Sequence, residues 1–216
     1  MTKNILGAVS LSVSLLFASS PLLAAGNIEA GKEKSKVCMA CHMADGNSIN
    51  PEWPKIAGQI PSYVVKQLQD FKSGKRVNQI MEPILAPLSQ QDIEDLAAYF
   101  ATQQVAPGSG NSELLLAGEK LYNKGIFYTT VTACTGCHGA KGNGNAAWEK
   151  NLAAPPTVLA PAIAGQHATY TANQLKAFRS GERSNDVGGV MQKIVDKLTD
   201  EQIEAVSAYI ASLGGV

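Results

Sequence analysis

Two pentapeptides carry the chemistry this chain can do: CMACH, Cys38 to His42, and CTGCH, Cys134 to His138. Each sets two thiols three positions apart and follows the second at once with an imidazole. Three chemistries use paired cysteines. A zinc ribbon joins two Cys-x-x-Cys knuckles about 15–20 residues apart, whereas Cys41 and Cys134 stand 93 apart. His42 adjoins Cys41, so its ring reaches the same ion only through an awkward turn. A thiol–disulfide pair opens a helix in a strand-bearing, thioredoxin-like fold, and no alternating strand pattern occurs here. The third is covalent attachment of a c-type haem, whose signature is Cys-x-x-Cys-His. On one helical turn the two thiols span the porphyrin edge that carries its two vinyl groups, and the next side chain comes beneath the iron. Cys38, Cys41, Cys134 and Cys137 are therefore expected to hold two haem c groups, with His42 and His138 as axial ligands.

What lies on the far face of each iron decides the task. An open face binds oxygen or peroxide, while a closed one passes electrons. Of five methionines, Met1 lies in the leader described below, and Met39 and Met43 flank the first motif without partners in the second. Met81 and Met191 remain, each seven residues before a leucine, Leu88 or Leu198, that opens the last helix pattern. They follow their histidines by 39 and 53 residues, enough chain to wrap to the opposite face. Both are expected to be axial ligands, and His/Met pairing raises a haem potential. His167 is unmatched in the first copy, where Ile60 stands, and is expected to be an exposed residue near a helix start.

The order of motifs shows that the chain is written twice. PKIAGQ (54–59) returns as PAIAGQ (161–166), QLQDFKSGKR (67–76) as QLKAFRSGER (174–183), and LSQQDIEDLAAYFA (88–101) as LTDEQIEAVSAYIA (198–211). The repeat supplies further candidates. Pro54 and Pro161 each place a carbonyl where it can accept the imidazole Nδ1–H, as metal-bound histidines usually require. Tyr63 and Tyr170, and Arg76 and Arg183, are matched and are candidates for hydrogen bonds to haem propionates. The alternatives are packing on a helix face for the tyrosines and solvent exposure for the arginines.

The elements that must position these groups read as helices. Val64, Leu68 and Phe71 step by four and three, with Pro61 at the start and Gly74 past the end. Ile93, Leu96 and Phe100 repeat that spacing, as do Ile203, Val206 and Ile210. Thr199 with Gln202 forms a capping-box pattern, and Ser89 with Asp92 a looser one. The Pro-, Gly- and Ser-rich stretch Gln103–Ser112 reads as a linker. The expected class is all-α: two tandem helical domains, related by internal duplication, over residues 26–107 and 108–216.

Residues 1–25 read as a secretory signal. One basic residue, Lys3, precedes an apolar run from Ile5 to Phe17, and small residues follow. The run is shorter than the roughly 18–20 residues a spanning helix needs. Gly26 is the expected mature start, and the periplasm the expected location. Eighteen basic residues balance eighteen acidic ones, and removing Lys3 leaves 17 against 18. With no basic patch, nucleic acid is not an expected partner.

With CMACHMADGNS, CTGCHGAKGNGN, both PxIAGQ segments, both QLxxFxSGxR helices and two late methionines, the chain resembles the dihaem class I cytochromes c of the cytochrome c4 family over nearly all its mature length. It departs from a strict repeat at Met43, where the second copy has Gly139, and in a longer second lead-in, NKGIFYTTVTA. The resemblance implies two domains packed face to face with propionates near the interface. It implies Cys38, Cys41, His42 and Met81 on one haem, and Cys134, Cys137, His138 and Met191 on the other. It also implies single-electron delivery from a membrane respiratory complex to a terminal cytochrome oxidase, by a monomer that is free or associated with the membrane surface. Two alternatives are an enzyme of the dihaem peroxidase type and a dedicated haem subunit of a larger oxidoreductase.

Overall fold

The computed structural model describes residues 26–129, 131–145 and 160–214. The expected signal segment and all but the first residue of the second-copy insertion, NAAWEKNLAAPPTVL, lie outside them. Among the described residues every regular element is helical and none is a strand. No helix there is long and apolar enough to cross a membrane.

Each half follows the same plan. In the first, α1 (Ile28–Lys34) leads through one 3₁₀ turn into the short α2 (Met39–His42), then α3 (Pro61–Lys72), α4 (Met81–Leu85) and α5 (Gln90–Ala101). In the second the counterparts are α6 (Leu115–Lys124), α7 (Thr135–His138), α8 (Ala168–Ser180), α9 (Val190–Val195) and α10 (Asp200–Ser212). Both capping boxes form: the Ser89 and Thr199 hydroxyls accept from the backbone of Asp92 and Gln202, whose side chains reach back. Such caps are worth about 1 kcal/mol each.

The first and last helices of each half cross, α1 on α5 and α6 on α10. The crossing is close because a glycine sits at each contact. A Cβ on Gly31 would stand 2.0 Å from the Asp95 carbonyl oxygen, and one on Gly118 2.1 Å from that of Ala205. The third long helix, α3 or α8, packs on the same closing helix. The apolar stripes read from sequence line these contacts: Ile93, Leu96 and Phe100 are buried in the first lobe, Ile203, Val206 and Ile210 in the second. Leu121, Tyr122, Phe178, Val195 and Leu198 extend the second cluster, and Cys134 and Met191 both pack against it. That cluster thus brings a thiol and a methionine 57 residues apart in sequence to one apolar wall.

Candidate haem sites

In both motifs the helical turn carries the second cysteine and the histidine together. α2 and α7 each end on the histidine, whose N–H closes back on the carbonyl of the first cysteine, Cys38 or Cys134, at 2.9 Å. All four cysteines are free and half-buried. Burial, with the neighbouring Cys41 thiol adding to it, pushes Cys38 up to about 11. Burial pushes Cys134 to about 11 as well. Redox-active Cys-x-x-Cys pairs need the opposite, a depressed thiol. Among the described residues no three His, Cys, Asp or Glu side chains converge as a metal-binding cluster would. The donors present fit a haem c: two unpaired thiols and one imidazole on a single turn.

The imidazoles are prepared for that role. His42 and His138 are buried, and burial holds both below the usual histidine range, so they are neutral. His42 Nδ1 lies 2.9 Å from the Pro54 carbonyl oxygen, and His138 Nδ1 lies 2.9 Å from that of Pro161. A carbonyl only accepts, so Nδ1 carries the proton and Nε2 keeps its lone pair. The two histidine-to-proline loops differ in length, 12 residues against 23, yet they close alike. The Gly46 carbonyl accepts from Ile56 N–H at 2.7 Å, and the Gly142 carbonyl from Ile163 N–H at 2.7 Å. Extra chain is accommodated without moving the proline.

Met81 is the first residue of α4 and Met191 the second of α9, and both are half-buried. Their backbone N–H groups are tied to a side-chain oxygen upstream, Asn78 Oδ1 at 3.0 Å and Asp186 Oδ2 at 2.8 Å. The second copy has three more residues between its arginine and its methionine, Arg183 to Met191 against Arg76 to Met81, and a 3₁₀ turn over Val187–Gly189 lies in that stretch.

After its histidine the first motif turns through Met43 at φ 62°, ψ 169°, a conformation that is essentially glycine's alone. Gly139 occupies the matching place at φ 80°, ψ 157°. Met43 is the one non-glycine residue with positive φ among the described residues. The substitution M43G is expected to stabilise the protein by about 1 kcal/mol, the strain relieved less glycine's entropy. A thermal melt that falls instead would show that Met43 packing outweighs the strain.

The tyrosines and arginines sit elsewhere than an exposed surface. Arg76 Nη2 donates to Tyr170 Oη at 2.9 Å and to Gln174 Oε1 at 2.8 Å, and Arg183 Nη2 donates to Tyr63 Oη at 3.0 Å. Each guanidinium also donates to a glutamine of its own lobe, Gln67 at 2.9 Å or Gln174 at 2.8 Å, and lies over a phenylalanine ring, Phe71 or Phe178. The alternative that these arginines are solvent-exposed does not hold: they are half-buried pins between the lobes. Burial works to raise the Tyr63 phenol, but the two guanidiniums, Arg183 foremost, pull it below the ordinary range.

The other half of the interface is equally reciprocal. Gln59 Nε2 donates to the Ala162 carbonyl at 2.8 Å, and its Oε1 accepts from Ala162 N–H at 2.9 Å. Gln166 does the same to Lys55, at 2.8 and 2.9 Å. This two-fold exchange is what gene duplication of a self-complementary surface produces. Sequence reasoning did not assign these glutamines a role, although their recurrence in PxIAGQ was the signal. His167 is also corrected. It caps α8, but its ring is half-buried, with Nε2 2.8 Å from the Ser48 carbonyl oxygen across the interface. That nitrogen is a committed donor and is not available to an iron.

Charge-assisted hydrogen bonds are worth about 1.5–3 kcal/mol each. The double substitution R76A/R183A is therefore expected to remove about 3–5 kcal/mol of lobe association. Urea unfolding of the variant should show two transitions in place of the one expected of the parent. A single unshifted transition would contradict the pinning role.

Comparison with known proteins agrees with this geometry. The Cytochrome c family matches twice, over residues 28–104 and 116–214. Cytochrome c4 of Thiocapsa roseopersicina is 44% identical over 189 residues, covering 87% of this chain and 93% of that one. The crystal structure of reduced recombinant cytochrome c4 from Pseudomonas stutzeri superposes with a TM-score of 0.81 at 43% identity, covering 88% of this chain and all of the other. A more distant relative, the thiosulfate dehydrogenase electron acceptor of Stutzerimonas stutzeri, is 35% identical over 184 residues, covering 82% of this chain and 79% of that one. Two tandem helical lobes, two Cys-x-x-Cys-His turns and these likenesses lead to one conclusion: the chain belongs to the cytochrome c4 family, electron-transfer proteins that carry two covalently attached haem c groups.

Proposed function

We propose that this protein works in the periplasm, accepting single electrons from a membrane respiratory complex and delivering them to a terminal cytochrome oxidase. Residues 26–107 and 108–216 are the two working lobes, joined in one monomer. Cys38 and Cys41 bind one haem as thioethers, and Cys134 and Cys137 the other. His42 with Met81 would hold the first iron, and His138 with Met191 the second. When bound, each haem supplies a one-electron ferrous/ferric couple.

The chain's own residues then do three things. The neutral imidazole, fixed by its proline carbonyl, offers Nε2 in one orientation. The methionine sulfur would supply each iron's second protein ligand, so that none need be gained or lost when its charge changes. The arginine and glutamine pairs hold the lobes in contact, so an electron received by one is passed within the molecule. The observation that carries this reading is the identical histidine–proline hydrogen bond in both lobes, 2.9 Å in each.

A second reading has a specific support, the likeness to a thiosulfate dehydrogenase electron acceptor: the donor would then be a thiosulfate-oxidising enzyme. The test is to mix the reduced protein with membranes containing terminal oxidase and follow its reoxidation. Saturable, cyanide-sensitive reoxidation supports delivery to the oxidase, and reoxidation no faster than in buffer overturns it. Reduction by a purified thiosulfate dehydrogenase, but not by respiratory membranes, would select the second donor.

A further inference from the structure

The two hydrogen bonds that end at residues 54 and 55 share one amide. The Pro54 carbonyl oxygen accepts from His42 Nδ1, and the N–H of the same peptide group, on Lys55, donates to Gln166 Oε1 of the other lobe. No cis peptide occurs among the described residues, so this trans amide points its oxygen at its own histidine and its hydrogen at the opposite lobe. The mirror arrangement joins His138, the Pro161–Ala162 amide and Gln59. Each glutamine is held in place by its second bond, from Nε2 to the carbonyl of residue 55 or 162.

We propose that Gln166 and Gln59 are positioning residues that set the electron affinity of the iron in the opposite lobe, through the peptide group behind its histidine. An amide whose N–H is engaged becomes a better acceptor at oxygen, by about 10–30% per bond in such chains. A stronger acceptor draws the Nδ1 proton away and makes the imidazole more electron-rich, as outer hydrogen bonds to ligating histidines do. An electron-rich ligand favours the ferric state. Gln166 therefore lowers the potential at His42, and Gln59 lowers the potential at His138. Separating the lobes relaxes both amides together, so lobe contact and potential are linked.

The inference rests on the haem reading above, and its test separates the two. The purified dihaem protein is titrated spectroelectrochemically, with the two couples assigned from haem-methyl proton resonances at partial reduction. Q166M removes the acceptor for Lys55 N–H and should raise the His42-side couple against the other by about threefold in the electron-exchange equilibrium, roughly 28 mV at 59 mV per decade. Q166E keeps and strengthens that acceptor and should lower the same couple. Q59M should raise only the His138-side couple. A shift confined to the glutamine's own lobe, equal shifts in both couples, or no shift with the methionine-to-iron absorption intact would each overturn the inference alone. Loss of that absorption in the parent protein would overturn the haem reading instead.

Discussion

Changing Cys134 and Cys137 together to alanine will leave a protein that carries one covalent haem and a second lobe that no longer holds its fold. Cys134 packs on the apolar cluster that also receives Met191, Tyr122 and Phe178, so the attachment point is part of the wall that stabilises the lobe. A domain of about one hundred residues buries a modest core, and its net stability is about 5–15 kcal/mol. A group that binds only the native state contributes directly to that balance. Without it, His138 is left buried with one ring nitrogen lacking its intended partner. Mass spectrometry should find one added porphyrin where the parent has two, and far-ultraviolet circular dichroism should lose close to half of its helical signal. Full helicity with one porphyrin would show that the second lobe folds on side-chain packing alone.

Replacing Met81 with alanine has the second-largest expected effect. Axial ligands set haem potentials over about 0.8 V, and loss of the thioether is expected to lower the first couple by about 0.2 V. The iron should turn high-spin, or take up water or an added small ligand. M191A should do the same to the second couple and leave the first near its original value. Met43 supplies the internal control: it is also a half-buried methionine next to His42, yet it lies beside the motif. M43L should leave both couples in place. If M81A shifted nothing, or M43L shifted the first couple, the axial assignment would be wrong.

The parts of this molecule legible in its sequence are those written locally. The helices follow from apolar steps of three and four, and their starts from Ser89 and Thr199, because periodicity and capping involve residues within a turn or two. The histidine–proline pairs were also within reach, because duplication marks Pro54 and Pro161 as equivalent despite loops of unequal length. The contacts of the lobe interface were not: the resemblance implied that the lobes face each other, not which residues meet. Arg76 meets Tyr170 and Arg183 meets Tyr63 over separations of 94 and 120 residues. A repeat records that two surfaces are alike, not that they face each other. The same limit hid His167, whose partner Ser48 lies 119 residues away, and the glutamines of PxIAGQ, whose role shows only when the opposite backbone is placed against them.

The duplication also accounts for where the two lobes differ. Matched positions supply the reciprocal contacts of the interface, and unmatched ones add one-sided contacts to it, His167 with Ser48 among them. Lys66 is ion-paired with Asp70 in the first lobe, where the second has Asn173 and Ala177. Asn185 donates to Asp70 across the interface at 2.6 Å. These contacts make the two lobes unequal within a frame that is otherwise reciprocal.

The central claim is that two irons, one per lobe, are each closed by a histidine and a methionine. Proton NMR of the ferrous protein tests it most directly, because the porphyrin ring current shifts the methyl of a methionine seated on the iron far upfield. The account predicts two such methyl signals, one missing in M81A and the other in M191A. A parent spectrum with one shifted methyl or none, or with both signals surviving the two substitutions, would contradict it.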